Sequence, residues 1–128
     1  MKQVACGAMF TNEGYILMGQ RHPKGENPLY WEFPGGKCNE GESLENCLHR
    51  EWKEELNLNI SIEKEIYTNI SSGYECVFFV GNIIDIHQLE INVHHDIKLC
   101  SIQSIHNLKL FEEDENIIEI LHSYIVNK

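Results

Sequence analysis

The chain has 128 residues, 42% of them hydrophobic, which suffices for the core of one ordinary domain spanning residues 1–128 and leaves little for a second. Ten basic against twenty acidic residues give a net charge of −10, which repels a polyphosphate backbone and argues against general nucleic-acid binding. No apolar run approaches the roughly 18–20 residues that cross a bilayer, and the stretch Val77 to Val80 is only strand-sized.

In chain order, Val4 to Phe10 and Tyr15 to Met18 are short apolar runs joined by Thr11-Asn12-Glu13-Gly14, a turn composition that predicts an antiparallel hairpin. Arg21 to Tyr30 is polar, carries Pro23, Gly25 and Pro28, and reads as a loop. It ends at Trp31-Glu32-Phe33-Pro34-Gly35-Gly36, where the proline and glycines are expected to exclude regular structure. A helix follows over Leu44 to Leu56, with Ser43 as N-cap, Glu45 in the first turn, and Leu44, Cys47, Leu48, Trp52 and Leu56 at helical spacing.

Glu65 to Ile70 and Tyr74 to Val80, parted by Ser71-Ser72-Gly73, predict a second hairpin, and Ile97 to Cys100 a further strand. A last helix is marked by Ile117, Ile118, Leu121, Tyr124 and Ile125 behind the acidic turn of Asp114 and Glu115. Strands before, between and after two helices indicate an α/β domain, a mixed sheet covered by helices.

The five cysteines, Cys6, Cys38, Cys47, Cys76 and Cys100, are scattered and never spaced as Cys-x-x-Cys, so reduced and mostly buried thiols are expected. The opening Met1-Lys2-Gln3-Val4-Ala5-Cys6-Gly7 lacks the apolar segment of a secretory signal. A soluble cytoplasmic protein without membrane contact is the expectation.

The chemistry is concentrated on the first helix. Advancing about 100° per residue, Glu51, Glu54 and Glu55 fall within or at the edge of the arc that also holds Leu44, Cys47 and Leu48, while His49 and Lys53 point away. Like charges at these spacings repel, and burying unpaired carboxylates costs more still, so a positive partner is required. Arg50 alone does not neutralise three acids, whereas a hard divalent cation takes several carboxylate oxygens at once. The competing reading is a salt-bridged surface helix. Gly35-Gly36, just ahead, allows a main-chain group to approach whatever the acids hold. A magnesium ion bound by a backbone carbonyl and two or three carboxylates keeps positions for water and phosphate oxygens, which points to phosphoryl or nucleotidyl transfer.

These residues resemble the Nudix box: Gly36, then Glu42, then Arg50-Glu51-Trp52-Lys53-Glu54-Glu55-Leu56-Asn57-Leu58, so that the box spans 36–58. Trp31-Glu32-Phe33-Pro34-Gly35-Gly36-Lys37 and Gly41-Glu42-Ser43 look like the MutT-type branch of that family. The resemblance implies an α/β/α sandwich and an Mg2+-dependent pyrophosphohydrolase, with Mn2+ as a substitute ion. It implies Gly35, Glu51, Glu54 and Glu55 as metal ligands and Glu42 and Arg50 as residues that orient the acids. Arg21 would contact phosphate, Phe33 would form a wall of the base pocket or pack in the core, and Asp114 would read the base or merely sit at an acidic helix start.

Two box residues depart from the pattern. Asn57 replaces a glycine at the helix end, where asparagine is the next best left-handed residue. Trp52 is larger than the usual aliphatic residue and asks for a roomier core. A further Glu that many relatives carry before the last strand aligns with Val93 or His94, leaving Glu90, Asp96, His94 and Glu54 as candidates for the base that activates water. The cluster His94-His95-Asp96 reads as a polar loop rather than a transition-metal site, because adjacent strand residues face opposite ways.

The expected reaction converts a nucleoside triphosphate, of the 8-oxo-dGTP or cytidine type, to the monophosphate and pyrophosphate. Hydrolysis of ADP-ribose or a dinucleoside polyphosphate, and a nucleotide-sensing module without turnover, are the alternatives. The partner is a small nucleotide, and monomer and homodimer both stay open.

Overall fold

The residues of the first strand alternate between two apolar sets, and this alternation places it at the centre of the sheet. A computed structural model describes residues 1–126 and shows both sets buried. In β1 (Lys2–Phe10), Cys6, Ala8 and Phe10 pack toward one face, and Ala5 and Met9 toward the other. Residues two apart on a strand share a face, so a strand apolar on both faces must be covered on both.

The remaining strands are β2 (Ile16–Gln20), β3 (Trp31–Glu32), β4 (Gly35–Lys37), β5 (Ile60–Ser71), β6 (Tyr74–Ile83) and β7 (Asp96–Cys100). The order is β3-β2-β1-β6-β5, with β4 also paired to β1 and β7 to β2. Among the described residues only β1 and β6 run parallel, so the sheet is mixed.

The two helices, α1 (Leu44–Leu56) and α2 (Asp114–Val126), cover opposite faces. Cys47, Leu48, Trp52 and Leu56 of α1 join Ala5, Met9, Leu17, Val77 and Phe79 in one core. Ile117, Ile118 and Leu121 of α2 join Ala8, Phe10, Ile16, Met18 and Val80 in the other. The α/β/α sandwich is thus as expected. No helix among the described residues is long and apolar enough to cross a membrane.

Local signals give α1 its ends. The Ser43 hydroxyl accepts from the Asn46 N–H at 3.1 Å, and Asn57 closes the helix in the left-handed conformation at φ 55°, its N–H donating to Lys53 O at 3.0 Å. Trp52 is fully buried and donates from Nε1 to Pro34 O at 2.9 Å, an acceptor it shares with the Gly7 N–H.

The structure corrects the expectation for Trp31 to Gly36: Trp31–Glu32 is a strand, and so is Gly35–Lys37. The latter pairs with Val4, Ala5 and Cys6 of β1, and a Cβ built at Gly35 would stand 1.9 Å from Ala5 O. The glycine is therefore what lets two backbones approach, rather than a breaker of structure. The second hairpin is also longer than expected, because β5 begins at Ile60 and passes through two register shifts that let it continue.

Candidate active site

The loop from β4 into α1 is tied to the helix through one guanidinium. Arg50 donates from Nε and Nη2 to the two carboxylate oxygens of Glu42 at 2.8 and 2.9 Å, and from Nη2 to Lys37 O at 3.2 Å. Its Nη1 reaches Glu51 Oε1 at 2.9 Å and Glu54 Oε2 at 3.2 Å. Glu42 also accepts from the Asn39 N–H at 2.9 Å. The Arg50 hydrogen bonds, followed by that N–H, hold the Glu42 carboxyl down at about 2.

Glu51 lies against the glycines of β4. A Cβ at Gly36 would stand 2.4 Å from the Glu51 carboxyl carbon, so the missing side chain is the space that the carboxylate occupies. Gly35, whose carbonyl is the expected ligand, is the residue immediately before. One turn along the helix, Glu55 is only 13% exposed in its side chain and Glu51 15%, whereas Glu54 is 60% exposed. Two of the three acids therefore face inward, and the third stands at the rim.

Burial first, then the hydrogen bond and charge of Glu51, with the charges of Glu32 and Glu54, push the Glu55 carboxyl up to about 9. Two facing, half-buried carboxylates beside a glycine-lined main chain are a donor set suited to a hard divalent cation. Among the described residues no three His, Cys, Asp or Glu side chains converge as a ready cage; Arg50 holds Glu51 and Glu54 to itself.

Across from these acids lie residues from other elements. Arg21 donates from Nη1 to Glu32 Oε1 at 3.1 Å and from Nε to Glu26 O at 3.0 Å. Arg21, Lys24, Glu32 and His94 line a cavity of about 190 Å³. His94 corrects the expectation of a polar loop: His95 and Asp96 are exposed, but the His94 side chain is 3% exposed, 3.4 Å from Glu32 Oε2 and 3.7 Å from Glu55 Oε1.

The other candidates for the base are placed elsewhere. Glu90 is exposed and accepts from Asn57 Nδ2 at 3.4 Å, and Asp96 accepts from the Ile97 N–H at 2.8 Å. Glu32 was not singled out from sequence. An acid between the buried Trp31 and Phe33 was the available signal, since a strand that buries its neighbours turns it the other way.

Asp114 begins α2 and is buried, 5% exposed, so it is no ordinary acidic helix start. Its Oδ2 accepts from the Phe111 N–H at 3.2 Å. Burial above all, and next the charges of Glu113, Glu32 and Glu115, raise its carboxyl to about 7 against the lowering effect of that N–H. The segment before it is held by Trp31 N–H to Lys109 O at 2.8 Å and by the Tyr30 and Phe111 rings, 4.8 Å apart. Phe33 is buried in the α2-side core, edge-on to Phe78 at 6.2 Å, with Cys6 packed against the same cluster.

The domain model described as the NUDIX domain matches residues 1–122. The chain belongs to the NUDIX family. A CTP pyrophosphohydrolase of Escherichia coli (strain K12) is 29% identical to this NUDIX chain over 105 residues, 79% of it and 78% of that protein. An 8-oxo-dGTP diphosphatase of Proteus vulgaris is 33% identical over 58 residues, 45% of this chain and 52% of that one. The match to the second thus spans about half its length. Among solved structures, MutT, in a study of Aliivibrio salmonicida and Vibrio cholerae, superposes with a TM-score of 0.81 at 19% identity, over 95% of this chain and 98% of that one. That likeness concerns the NUDIX fold. Divalent metal ions serve NUDIX hydrolases generally, and the donor set around Glu51 and Glu55 is compatible with one.

Proposed function

We propose that this chain hydrolyses a nucleoside triphosphate to the monophosphate and pyrophosphate, in a single domain over residues 1–128 and with Mg2+, or Mn2+ in its place. The observation that carries the reading is the Glu51–Glu55 pair, two inward-facing carboxylates beside the Gly35–Gly36 strand segment, locked by the Arg50–Glu42 grip. The similarity to a CTP pyrophosphohydrolase and to an 8-oxo-dGTP diphosphatase supports the same substrate class.

Gly35 O, Glu51, Glu54 and Glu55 would hold the cation, which would supply polarisation of phosphoryl oxygens and offset charge on the leaving group. Arg50 and Glu42 keep the acids aimed. Arg21, at the mouth of the small cavity, contacts the polyphosphate. Glu54, the box acid most open to solvent, is the base assigned to the attacking water. Asp114 meets the polar edge of the base, with Phe33 as part of the apolar wall. A carboxyl near neutrality accepts from an amino group when ionised and donates when protonated, which suits cytosine or an oxidised guanine.

The five free thiols accord with a reducing cytoplasm as the site of action, where the reaction clears or processes free nucleotides. A nucleotide panel with Mg2+, read as released pyrophosphate, tests the proposal. Turnover of CTP or 8-oxo-dGTP that falls by about 10²-fold or more in Glu54→Gln is expected, and equal turnover in that variant refutes the role given to Glu54. Tight nucleotide binding without any product would favour the sensing reading instead.

A further inference from the structure

Beside the proposed metal acids the fold buries one imidazole whose two ring nitrogens both lack a hydrogen-bond partner, that of His94. Its segment is fastened on several sides. Asn92 donates from its backbone N–H to Glu55 O at 3.1 Å and from Nδ2 to Glu54 O at 3.2 Å, at the end of α1. The His95 N–H donates to Gln20 O at 2.8 Å, and His22 Nε2 meets Val93 O at 2.6 Å. The ring itself fills a notch over Gly19, where a Cβ would stand 2.4 Å from His94 Cδ2.

Burying a polar ring without partners costs free energy, so the arrangement requires something that offsets it. What faces the ring is a carboxylate on either side, Glu32 Oε2 at 3.4 Å and Glu55 Oε1 at 3.7 Å, both measured from Nε2. The other oxygen of Glu32 holds Arg21 at 3.1 Å. A neutral imidazole has one N–H and one lone pair. With the proton on Nε2 and both acids ionised, as Glu55 would be with a cation bound, a single donor lies between two acceptors, and only a lone pair on Nδ1 is left alone.

We propose that His94 is a positioning residue: it carries its proton on Nε2, shares it between Glu32 and Glu55, and so holds the metal-binding acids and the Arg21 end of the cleft as one unit. It acts through these carboxylates, since both of its nitrogens are shielded from solvent. The inference rests on the reading that Glu55 helps to hold the cation.

Two measurements test it without reference to turnover. With Mg2+ added, long-range proton–nitrogen NMR of the histidine rings is expected to show His94 protonated on Nε2 and bare on Nδ1; the opposite tautomer turns a lone pair toward the acids and overturns the inference. Mn2+ titrations followed by EPR compare the parent with His94→Leu and His94→Gln, the latter keeping an amide N–H near the place of Nε2. Affinity is expected to fall by about tenfold in the leucine variant and to recover most of that loss in the glutamine variant. If the leucine variant does not fold, the tautomer and the glutamine variant decide. A parent that binds no Mn2+ overturns the cation reading of the site, whereas equal affinity in all three chains overturns this inference alone.

Discussion

Arg50 grips both carboxylate oxygens of Glu42, at 2.8 and 2.9 Å, across the loop that parts β4 from α1. A planar fork meeting a carboxylate in this way fixes orientation as well as charge. Arg50→Lys keeps the charge and loses the fork. Its kcat is expected to fall by about a hundredfold, the scale of a misplacement near 1 Å, with an unchanged far-ultraviolet circular dichroism spectrum. The grip also has a pH signature. Because the Glu42 carboxyl is lowered from 4.5 to about 2, its contribution to stability is present above 4.5 and is lost as pH falls toward 2. Acid unfolding of Glu42→Gln should lack that part of the transition; identical acid curves for variant and parent would contradict it.

The adjacent glycines of β4 should respond differently to one methyl group. At Gly35 the added carbon meets backbone, Ala5 O at 1.9 Å, and nothing there moves cheaply. Gly35→Ala is expected to unpair β4 from β1 and to lower the melting temperature by several degrees, on the scale of about 1–3 kcal/mol for overpacking. At Gly36 the carbon meets only the end of the Glu51 side chain, at 2.4 Å. Gly36→Ala should keep its melting temperature and lose Mn2+ affinity, by calorimetry, by about tenfold or more. The reverse pattern would exclude Glu51 from the cation site.

Glu55 makes the metal-free chain sensitive to alkali. Its carboxyl is raised from 4.5 to about 9, so the folded chain favours the protonated form. The associated stability is complete below 4.5 and is lost as pH rises through about 9. In chelator-treated protein the urea midpoint should therefore fall over that range, and the fall should be shallower in Glu55→Gln. Parallel curves for the two chains would remove the buried acid as the cause.

Asp114 predicts a pH dependence in substrate affinity. With its carboxyl raised to about 7, it is ionised above that pH and gains a proton below it. A base that offers an amino group needs the ionised acceptor, so KM should rise as pH falls through 7 while kcat changes less. In Asp114→Asn this inflection should vanish. An inflection that persists in the variant assigns it to another group.

Much of the fold was legible because its signals are local. Ser43 at the start of α1, Asn57 at its end and the apolar spacing between them act within a turn or two of chain, and the observed helix has the expected ends. The strand at Gly35–Lys37 was not legible, because its cause is the approach of β1, some thirty residues earlier in the chain. For the same reason the wheel placed Glu54 with its neighbours, while the fold leaves it at the rim: the wheel shows which residues share an arc, and only packing shows how far that arc is covered.

The sequence by itself determined the family pattern and the cap and spacing of the acidic helix, since both are written in one continuous stretch of chain. The tertiary structure alone decided which acids face inward, that Asp114 and His94 are buried, and that Glu32 stands between Arg21 and His94. Burial and charge pairing arise from segments that meet only on folding; Glu32, Glu55 and His94 come from a strand, a helix and a loop spread over more than sixty residues. Their order along the chain carries no record of the distances that set their chemistry.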